Sequence, residues 1–575
     1  MPKSKSAKSK SANELVFLPL GGVGEIGMNL YLYGVGPPHR RTWLMVDLGV
    51  TFAGPQEPGI DLILPDIRFI EEERDNLAGI ILTHAHEDHF GAVMRLWPRL
   101  RAPLYATPFT AALLRAKLIE EGKEGEIPIE EIPCRAKLDI GPFHVELVDM
   151  SHSIPESNGL LISTDAGTAF HSSDWKLDPN PVVGATTDEK RLRQIGTDGL
   201  DALICDSTNA IRPGLSPSET DVAKTLKELI ESAPHRVAVT TFASNVARLR
   251  SAMDAAAAAD RHIVIVGRAM KRVIQVAEET GHLPAGYDLL TEDDYGHLPR
   301  EKVMALCTGS QGEGRAALAR IASGSHPRVT FARGDRVLFS SRTIPGNEKA
   351  VGRILNQLVD REIEVITDSD ALIHVSGHPR RGELEQLYNW TQPKTAVPMH
   401  GEPRHLEAHA AFAKQMRVKS VVCVRNGTMV RLAPGPSKII DEAPSGRVYM
   451  DGRIPVLPGE GPVEERRRLS FGGAVAVSIV ISSKGDIVAD PQITFIGLPA
   501  HTGSRAGSGA GSAEGSGLAM TDLILNAAHG ALDGIPRPRR RDSALVAEAV
   551  RRAVRAEVNA YWGKKPPCSV MVTVI

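Results

Sequence analysis

The sequence has few cysteines, and spacing pairs none of them. The five (Cys134, Cys205, Cys307, Cys423 and Cys568) are scattered through 575 residues without a CxxC motif. That argues against a thiolate zinc site and against a disulfide framework, and makes a reducing cytoplasm the natural setting. A basic excess is also missing. The formal net charge of -2 denies the chain the overall positive field of the usual nucleic-acid binder, so any such role must rest on local charge. The two basic tracts, Lys3 to Lys10 and Arg537 to Arg541, read as solvated flexible segments. The Ser/Lys-rich start, Met1 to Ala12, lacks the apolar stretch of a secretory signal, and no apolar run is long enough to cross a bilayer, so no membrane role is expected. No internal repeat is visible. What is present is a globular composition, 42% hydrophobic and 24% charged, in a chain too long for one core.

Along the chain, strands broken by turns come first: Leu15–Leu20, Met28–Tyr33 and Trp43–Leu48. Between the first two, Gly22-Val23-Gly24-Glu25-Ile26-Gly27 fits GxGxxG. A dinucleotide site needs a helix after those glycines. The alternating Asn29-Leu30-Tyr31-Leu32-Tyr33 reads instead as another strand, so the segment is a tight turn between strands. From about Ser216 helices alternate with buried strands: helix Ser218–Ser232, strand Arg236–Thr241, helix Asn245–Ala258, strand His262–Val266. That pattern marks an inserted α/β unit. The expected organisation is a basic tail 1–12, a first domain in two parts (13–215 and 356–432) around an insert 216–355, a linker 433–447 opened by Ala433-Pro-Gly-Pro-Ser437, and a C-terminal α/β domain 448–575. Within the last, the Gly/Ser/Ala-rich stretch 500–517 reads as a mobile loop, and Ser543–Tyr561 as a helix with Leu545, Val546, Ala549, Val550 and Val554 on one face.

The strongest chemical signal is His84-Ala85-His86-Glu87-Asp88-His89, three imidazoles and two carboxylates within six residues, just after the short apolar run Ala78–Leu82. Nitrogen and oxygen donors packed this closely suit zinc or another borderline divalent ion. One loop cannot close two metal sites, so further ligands must come from afar. His152, Asp174 and His400 each stand at the end of a strand-like run, in an order that rebuilds one sheet edge.

These residues resemble the metallo-β-lactamase superfamily, an αββα sandwich with a dinuclear metal site at the edge of its sheets. The resemblance implies one ion held by His84, His86 and His152, another by Asp88, His89 and His400, with Asp174 bridging and Asp47 orienting ligands from behind. Zinc is the ion expected, with Mn²⁺ or Mg²⁺ as alternatives. Cys205-Asp206-Ser207-Thr208-Asn209, Ser376-Gly377-His378 and Met399-His400-Gly401-Glu402 are similar to the motifs of the β-CASP nucleic-acid-processing group. Within that group, Gly21–Gly27, Thr308-Gly309-Ser310-Gln311-Gly312-Glu313, Ile344-Pro345-Gly346-Asn347-Glu348 and His374–His378 look like the ribonuclease J family. The resemblance covers Leu15 to Leu432; the C-terminal unit is matched by position. Gly314-Arg315 and Pro379-Arg380-Arg381 depart from the family pattern near the substrate channel that the resemblance implies.

What the resemblance implies is a 5′-to-3′ exonuclease that prefers 5′-monophosphate ends of single-stranded RNA and also cuts internally, acting in RNA maturation and mRNA decay in the cytoplasm. Paired divalent ions supply hydroxide near neutral pH. Asp88 and Asp174 would hold the ions for attack, His378 would donate a proton to the leaving oxygen, and Asp206 would set the charge of that histidine. Ser244, Arg268, His374 and Ser376, with Gly377 and His378, would line the substrate pocket, Arg268 and His374 supplying charge. A homodimer or homotetramer and partners in an RNA-degradation complex are implied likewise. The rival readings are a small-molecule hydrolase of the same fold, a non-catalytic RNA-binding subunit, and a DNA nuclease of the β-CASP group.

Overall fold

The protein is described from a computed structural model, over residues 13–501 and 519–575. The expected basic tail and nearly all of the expected mobile loop 500–517 lie outside the described residues. Among these, no helix is long and apolar enough to cross a membrane.

The first unit comprises residues up to Phe52 and Leu62–Val448. It is built on two sheets. One has eight strands in the order Lys438–Glu442, Thr428–Ala433, Glu14–Gly21, Leu30–Gly36, Thr42–Val46, Leu77–Ile81, Leu104–Ala106, Ile129–Glu131. The other has seven, running from Ser420–Val421 through Thr395–Met399, Ala202–Asp206, Gly167–His171, Asn158–Thr164 and Phe143–Asp149 to Lys137–Ile140. Alternating residues of both sheets, among them Phe17, Tyr33, Leu44, Val145, Leu147, Leu160, Ile204 and Val397, share one core between them, as the two-residue period of a strand requires. On the far side of the seven-stranded sheet, Leu192, Ile195, Leu384 and Leu387 from helices Glu189–Asp198 and Arg381–Thr391 cover Phe170, Leu203 and Ala396. This is the sandwich the motif implied.

The insert has its own sheet of six strands, all parallel: Leu289–Leu290, His262–Val266, Val303–Cys307, Val237–Thr240, Arg336–Phe339 and Glu364–Ile366. Its central strands are buried on both faces, which explains their nearly unbroken apolar sequence. Ser218 caps the helix Glu219–Glu231 through a capping box with Asp221, and Asn245 caps Val246–Ala258, so both starts were legible as cap residues before apolar periodicity. The expected end of the insert, at 355, falls inside the helix Glu348–Val359, and Glu364–Ile366 still pairs within the insert's sheet. A short strand after a helix continues the βα alternation, and its flanking charge hid it. The chain leaves and returns beside buried carboxylates. Asp178 accepts from Ser218 Oγ (2.6 Å) and Glu219 N (2.9 Å), while Glu383 accepts from Ser216 Oγ (2.8 Å) and Arg380 N (2.7 Å). This double anchorage fixes where residues 374–378 re-enter the first domain.

The expected linker 433–447 is in part sheet. Lys438–Glu442 pairs antiparallel with Thr428–Ala433 as the edge of the eight-stranded sheet, and its charged ends are usual for an exposed edge. The second unit is Tyr449–Ile575 with Ala53–Asp61. Its sheet runs Ile487–Ile496, Ala474–Ile481, Cys568–Val574. Val475, Val477, Ile479 and Ile481 face Leu523, Ile524, Val546, Val550, Val554 and Val558 from helices Met520–Asp533 and Ser543–Trp562. Leu545 and Ala549, expected on that face, lie partly buried at its margin.

Candidate active site

The run Leu77–Ile81 ends at the edge of its sheet, and the next helix, Glu87–Phe90, begins with His86 as its cap residue. The intervening turn delivers His84, His86, Asp88 and His89 to one place. His152 follows the strand Phe143–Asp149, Asp174 follows Gly167–His171, and His400 follows Thr395–Met399. The structure brings all seven expected ligands together in two groups sharing one carboxylate oxygen.

In the first group, His84 Nε2 and His152 Nε2 lie 3.0 and 3.1 Å from His86 Nδ1, and 4.0 and 3.9 Å from Asp174 Oδ2. In the second, His89 Nε2 and His400 Nε2 lie 3.2 and 3.4 Å from Asp174 Oδ2 and 3.6 and 3.9 Å from Asp88 Oδ2. Tetrahedral zinc with bonds of about 2.0–2.1 Å needs donor separations of roughly 3.3 Å, which these distances bracket. The donor chemistry fits as well. His400 Nε2 and Asp174 Oδ1 are buried polar atoms with no hydrogen-bond partner among the described residues, and such atoms are costly unless something else binds them. Burial holds the His84, His86 and His152 imidazoles well below their usual value, His86 at about 4, so their lone pairs are available. Burial works against the Asp174 anion too, but His400, His89 and His378 hold it ionised.

The surroundings lock these side chains. His89 Nδ1 lies 2.7 Å from Asp47 Oδ2, and Asp47 also accepts from Thr83 N (2.8 Å) and Thr83 Oγ1 (2.9 Å). Asp47 thus stands behind the ligands as expected. Three residues here have left-handed backbones, Asp47 (φ 63°), Ser173 (φ 52°) and His400 (φ 47°). Each costs on the order of 1–3 kcal/mol, and the buried hydrogen bonds around them sustain it.

His378 Nδ1 lies 2.7 Å from Asp206 Oδ2 and 3.8 Å from Asp174 Oδ2. Burial alone would drive this imidazole down, but Asp206 and then Asp174 reverse that and push it up to about 9. The two carboxylates therefore favour the charged form of His378, which faces the shared ligand. Ser376 Oγ and the His378 carbonyl both accept from Asn209 Nδ2 (2.9 and 3.1 Å), which ties two of the family motifs to each other. Gly377, expected to contact substrate, also supports a ligand. Its carbonyl accepts from His152 Nδ1 at 2.7 Å, and a Cβ there would stand 2.5 Å from His152 Cε1.

A cavity of about 240 Å³ lies beside this loop, lined by Arg212, Arg342, Asp368, His374, Ser376 and Arg380 among others. His374 and Ser376, two of the residues expected to line a substrate pocket, are in its lining. Ser244 and Arg268 are not in the lining; they follow the strands Val237–Thr240 and His262–Val266 of the insert. Burial, and then Arg248 and Arg342, hold the His374 imidazole well below its usual value, which favours its neutral form. Of the departures from the family pattern, Arg380 lines the cavity, Arg381 donates to the Ala210 carbonyl (2.9 Å) and Arg315 is exposed. Sequence reasoning missed Asn29, Thr83, Ser173, Arg212 and Arg342, since none belongs to a spacing pattern for ligands, and it marked Arg380 only as a departure from the family pattern.

Comparison with known proteins agrees with this geometry. Residues 42–237 match the model of a beta-lactamase superfamily domain, 234–358 a ribonuclease J beta-CASP domain, 362–423 a Zn-dependent metallo-hydrolase RNA specificity domain, and 461–575 a ribonuclease J C-terminal domain. The chain is 52% identical to a ribonuclease J of Sinorhizobium meliloti over 98% of both chains. The chain belongs to the ribonuclease J family. Ribonuclease J proteins of Corynebacterium glutamicum and Mycolicibacterium smegmatis are each 38% identical, over 98% and 97% of this chain and 76% and 96% of theirs. A crystal structure of a protein of unknown function from Enterococcus faecalis V583 covers 72% of this chain and 99% of its own at 16% identity, with a TM-score of 0.51; it shares the fold. As a member of the ribonuclease J family the protein is a metallo-hydrolase, and its His/Asp groups suit divalent metal binding.

Proposed function

We propose that the protein hydrolyses phosphodiester bonds of single-stranded RNA, working 5′ to 3′ from monophosphorylated ends and also cutting internally, in RNA maturation and mRNA decay. The observation that carries this reading is the shared Asp174 carboxylate, common to two donor groups, with the His378 imidazole 3.8 Å from it. Two divalent ions, held by His84, His86, His152 and Asp174 and by Asp88, His89, His400 and Asp174, would supply hydroxide and neutralise phosphate charge. His378, kept charged by Asp206, is partly exposed (21%) and so can reach the leaving oxygen and protonate it. Asp88 and Asp174 fix the geometry.

The cavity next to His378 gives the reading its direction. His374 and Ser376 precede His378 by four and two residues, so a terminal phosphate held there sets the scissile bond a short, fixed distance from the 5′ end. Arg212, Arg342 and Arg380 supply the charge, and neutral His374 supplies a ring nitrogen. Ser244 and Arg268 would meet RNA farther along the insert. Arg342→Ala should therefore reduce the preference for monophosphate over triphosphate ends by roughly 10-fold or more, and Arg268→Ala by less; the reverse order would remove the cavity from the reading. The wider test is digestion of a 5′-monophosphorylated RNA labelled at each end in turn, with and without chelator. Chelator-sensitive mononucleotide release from the 5′ end is expected. Internal fragments alone would make the protein an endonuclease, and no cleavage of RNA would overturn the reading.

A further inference from the structure

The glycine-rich turn between the first two strands carries no dinucleotide, yet it reaches the active site. Gly24 N donates to the Gly401 carbonyl (3.0 Å) and Gly401 N to the Glu25 carbonyl (3.1 Å), which pins the residue after His400. The His400 carbonyl is gripped from the other side by Ser207 N (3.3 Å) and Thr208 Oγ1 (3.1 Å). The left-handed backbone of His400 is thus held from two directions. Its imidazole is held by the residue that follows the turn, Asn29.

Asn29 is fully buried, and its polar groups go to the second ligand group. Oδ1 accepts from His400 Nδ1 (2.8 Å). Nδ2 lies 2.9 Å from His89 Nε2 and donates to Asp88 Oδ2 (3.3 Å), and the backbone N donates to the Asp88 carbonyl (2.8 Å). The Tyr31 hydroxyl, also buried, donates to Asn29 Oδ1 at 2.8 Å. The Asp88 carboxylate can only accept, so it leaves the amide one orientation, with its NH2 toward Asp88 and its oxygen toward His400. That oxygen requires the His400 proton on Nδ1, which leaves Nε2 as a lone pair toward Asp174 and Asp88. No hydrogen bond joins Asn29 to His84, His86 or His152 among the described residues.

We propose that Asn29 is a positioning residue for one metal ion only: it sets the tautomer of His400 and spaces Asp88 and His89, so that the second site binds and the first does not depend on it. The proposal rests on the two-ion reading above. A histidine ligand commonly donates its other ring N–H to a fixed acceptor, and losing that acceptor weakens metal binding by about 10–100-fold. A neutral amide does this without adding a third carboxylate beside Asp88 and Asp174, where another negative charge would be repelled.

The test is titration of the chelator-stripped full-length protein with Mn²⁺ alone, following stoichiometry by calorimetry and spin coupling by electron paramagnetic resonance. The wild type should bind two equivalents and show a coupled pair. Asn29→Ala should keep one equivalent at wild-type affinity, weaken the other about 10–100-fold, and show an uncoupled signal at one equivalent. Asn29→Asp, which keeps the acceptor for His400, should fall between. Equal weakening of both ions, or two ions bound as in the wild type, would overturn the role of Asn29. A wild type that binds a single ion would instead overturn the two-ion reading, and this inference with it.

Discussion

The two ligand groups share Asp174 but are supported in different ways. Around His84, His86 and His152 the supporting partners are neutral: Thr83 Oγ1 lies 3.0 Å and Ser173 Oγ 3.4 Å from His84 Nδ1, and the Gly377 carbonyl accepts from His152 Nδ1. Around His89 and His400 the partners are the Asp47 carboxylate and the Asn29 amide. The first group reaches across to the loop that returns from the insert, whereas the second is closed within the first domain. A carboxylate behind a histidine raises its basicity and its strength as a ligand more than a hydroxyl does. One half of the site is therefore tuned by charge and the other by the position of a backbone carbonyl, which makes the first half sensitive to where the insert sits.

The comparison breaks entirely if the shared ligand is removed. Asp174→Asn should weaken both ions together and lower kcat/KM by more than the roughly 10²–10³-fold that one lost transition-state donor costs; metal stoichiometry and RNA turnover check both. Asp206→Asn lies outside either ligand group and should spare metal binding while reducing kcat about 10²–10⁴-fold. The sign of its pH effect follows from the electrostatics. Asp206 and Asp174 raise the His378 value, so the imidazolium is present below that value and lost as pH rises through it. Removing one carboxylate lowers the value, and the alkaline side of the rate profile should move to lower pH. Bound divalent ions add positive charge and shift it in the same direction. The halves separate in the next pair. Asp47→Asn should weaken the second ion about 10–100-fold, and Gly377→Ala, whose Cβ would strike the His152 ring, should weaken the first; both ions lost equally in either variant would erase the distinction.

The local half of the site was legible because chemistry and chain distance coincide in His84–His89. His152, Asp174 and His400 were candidates as strand-end residues and took their ligand roles from the motif resemblance, and the sheet order explains why they converge: the strands before His400 and Asp174 both flank Ala202–Asp206. The insert's first elements were legible from caps and unbroken apolar strands, but its last strand was not, since Glu364–Ile366 is short and half exposed. His374 and Ser376 sit beside a motif, whereas Arg212, Arg342 and Arg380 come from three loops that only the tertiary fold brings together. Asn29 had no pattern at all, because a residue that supports ligands needs only one geometry and no spacing.

The smallest expected effect divides the halves most finely. Thr83 Oγ1 touches both, donating to Asp47 Oδ2 and accepting from Ser173 Oγ (2.7 Å), with His84 Nδ1 in reach. Thr83→Val keeps the shape and removes the hydroxyl. Asp47 still has the Thr83 backbone N–H and His89, so the second group keeps its charged support. His84 keeps only Ser173 at 3.4 Å, a weak contact by geometry. The loss of one such hydrogen bond is worth about 1 kcal/mol, or roughly fivefold in affinity, and it should fall mainly on the first ion. Competition with a graded series of chelators resolves a difference of that size. If the second ion weakens more, Thr83 acts chiefly through Asp47, and the charge-tuned half extends farther than the hydrogen bonds alone indicate.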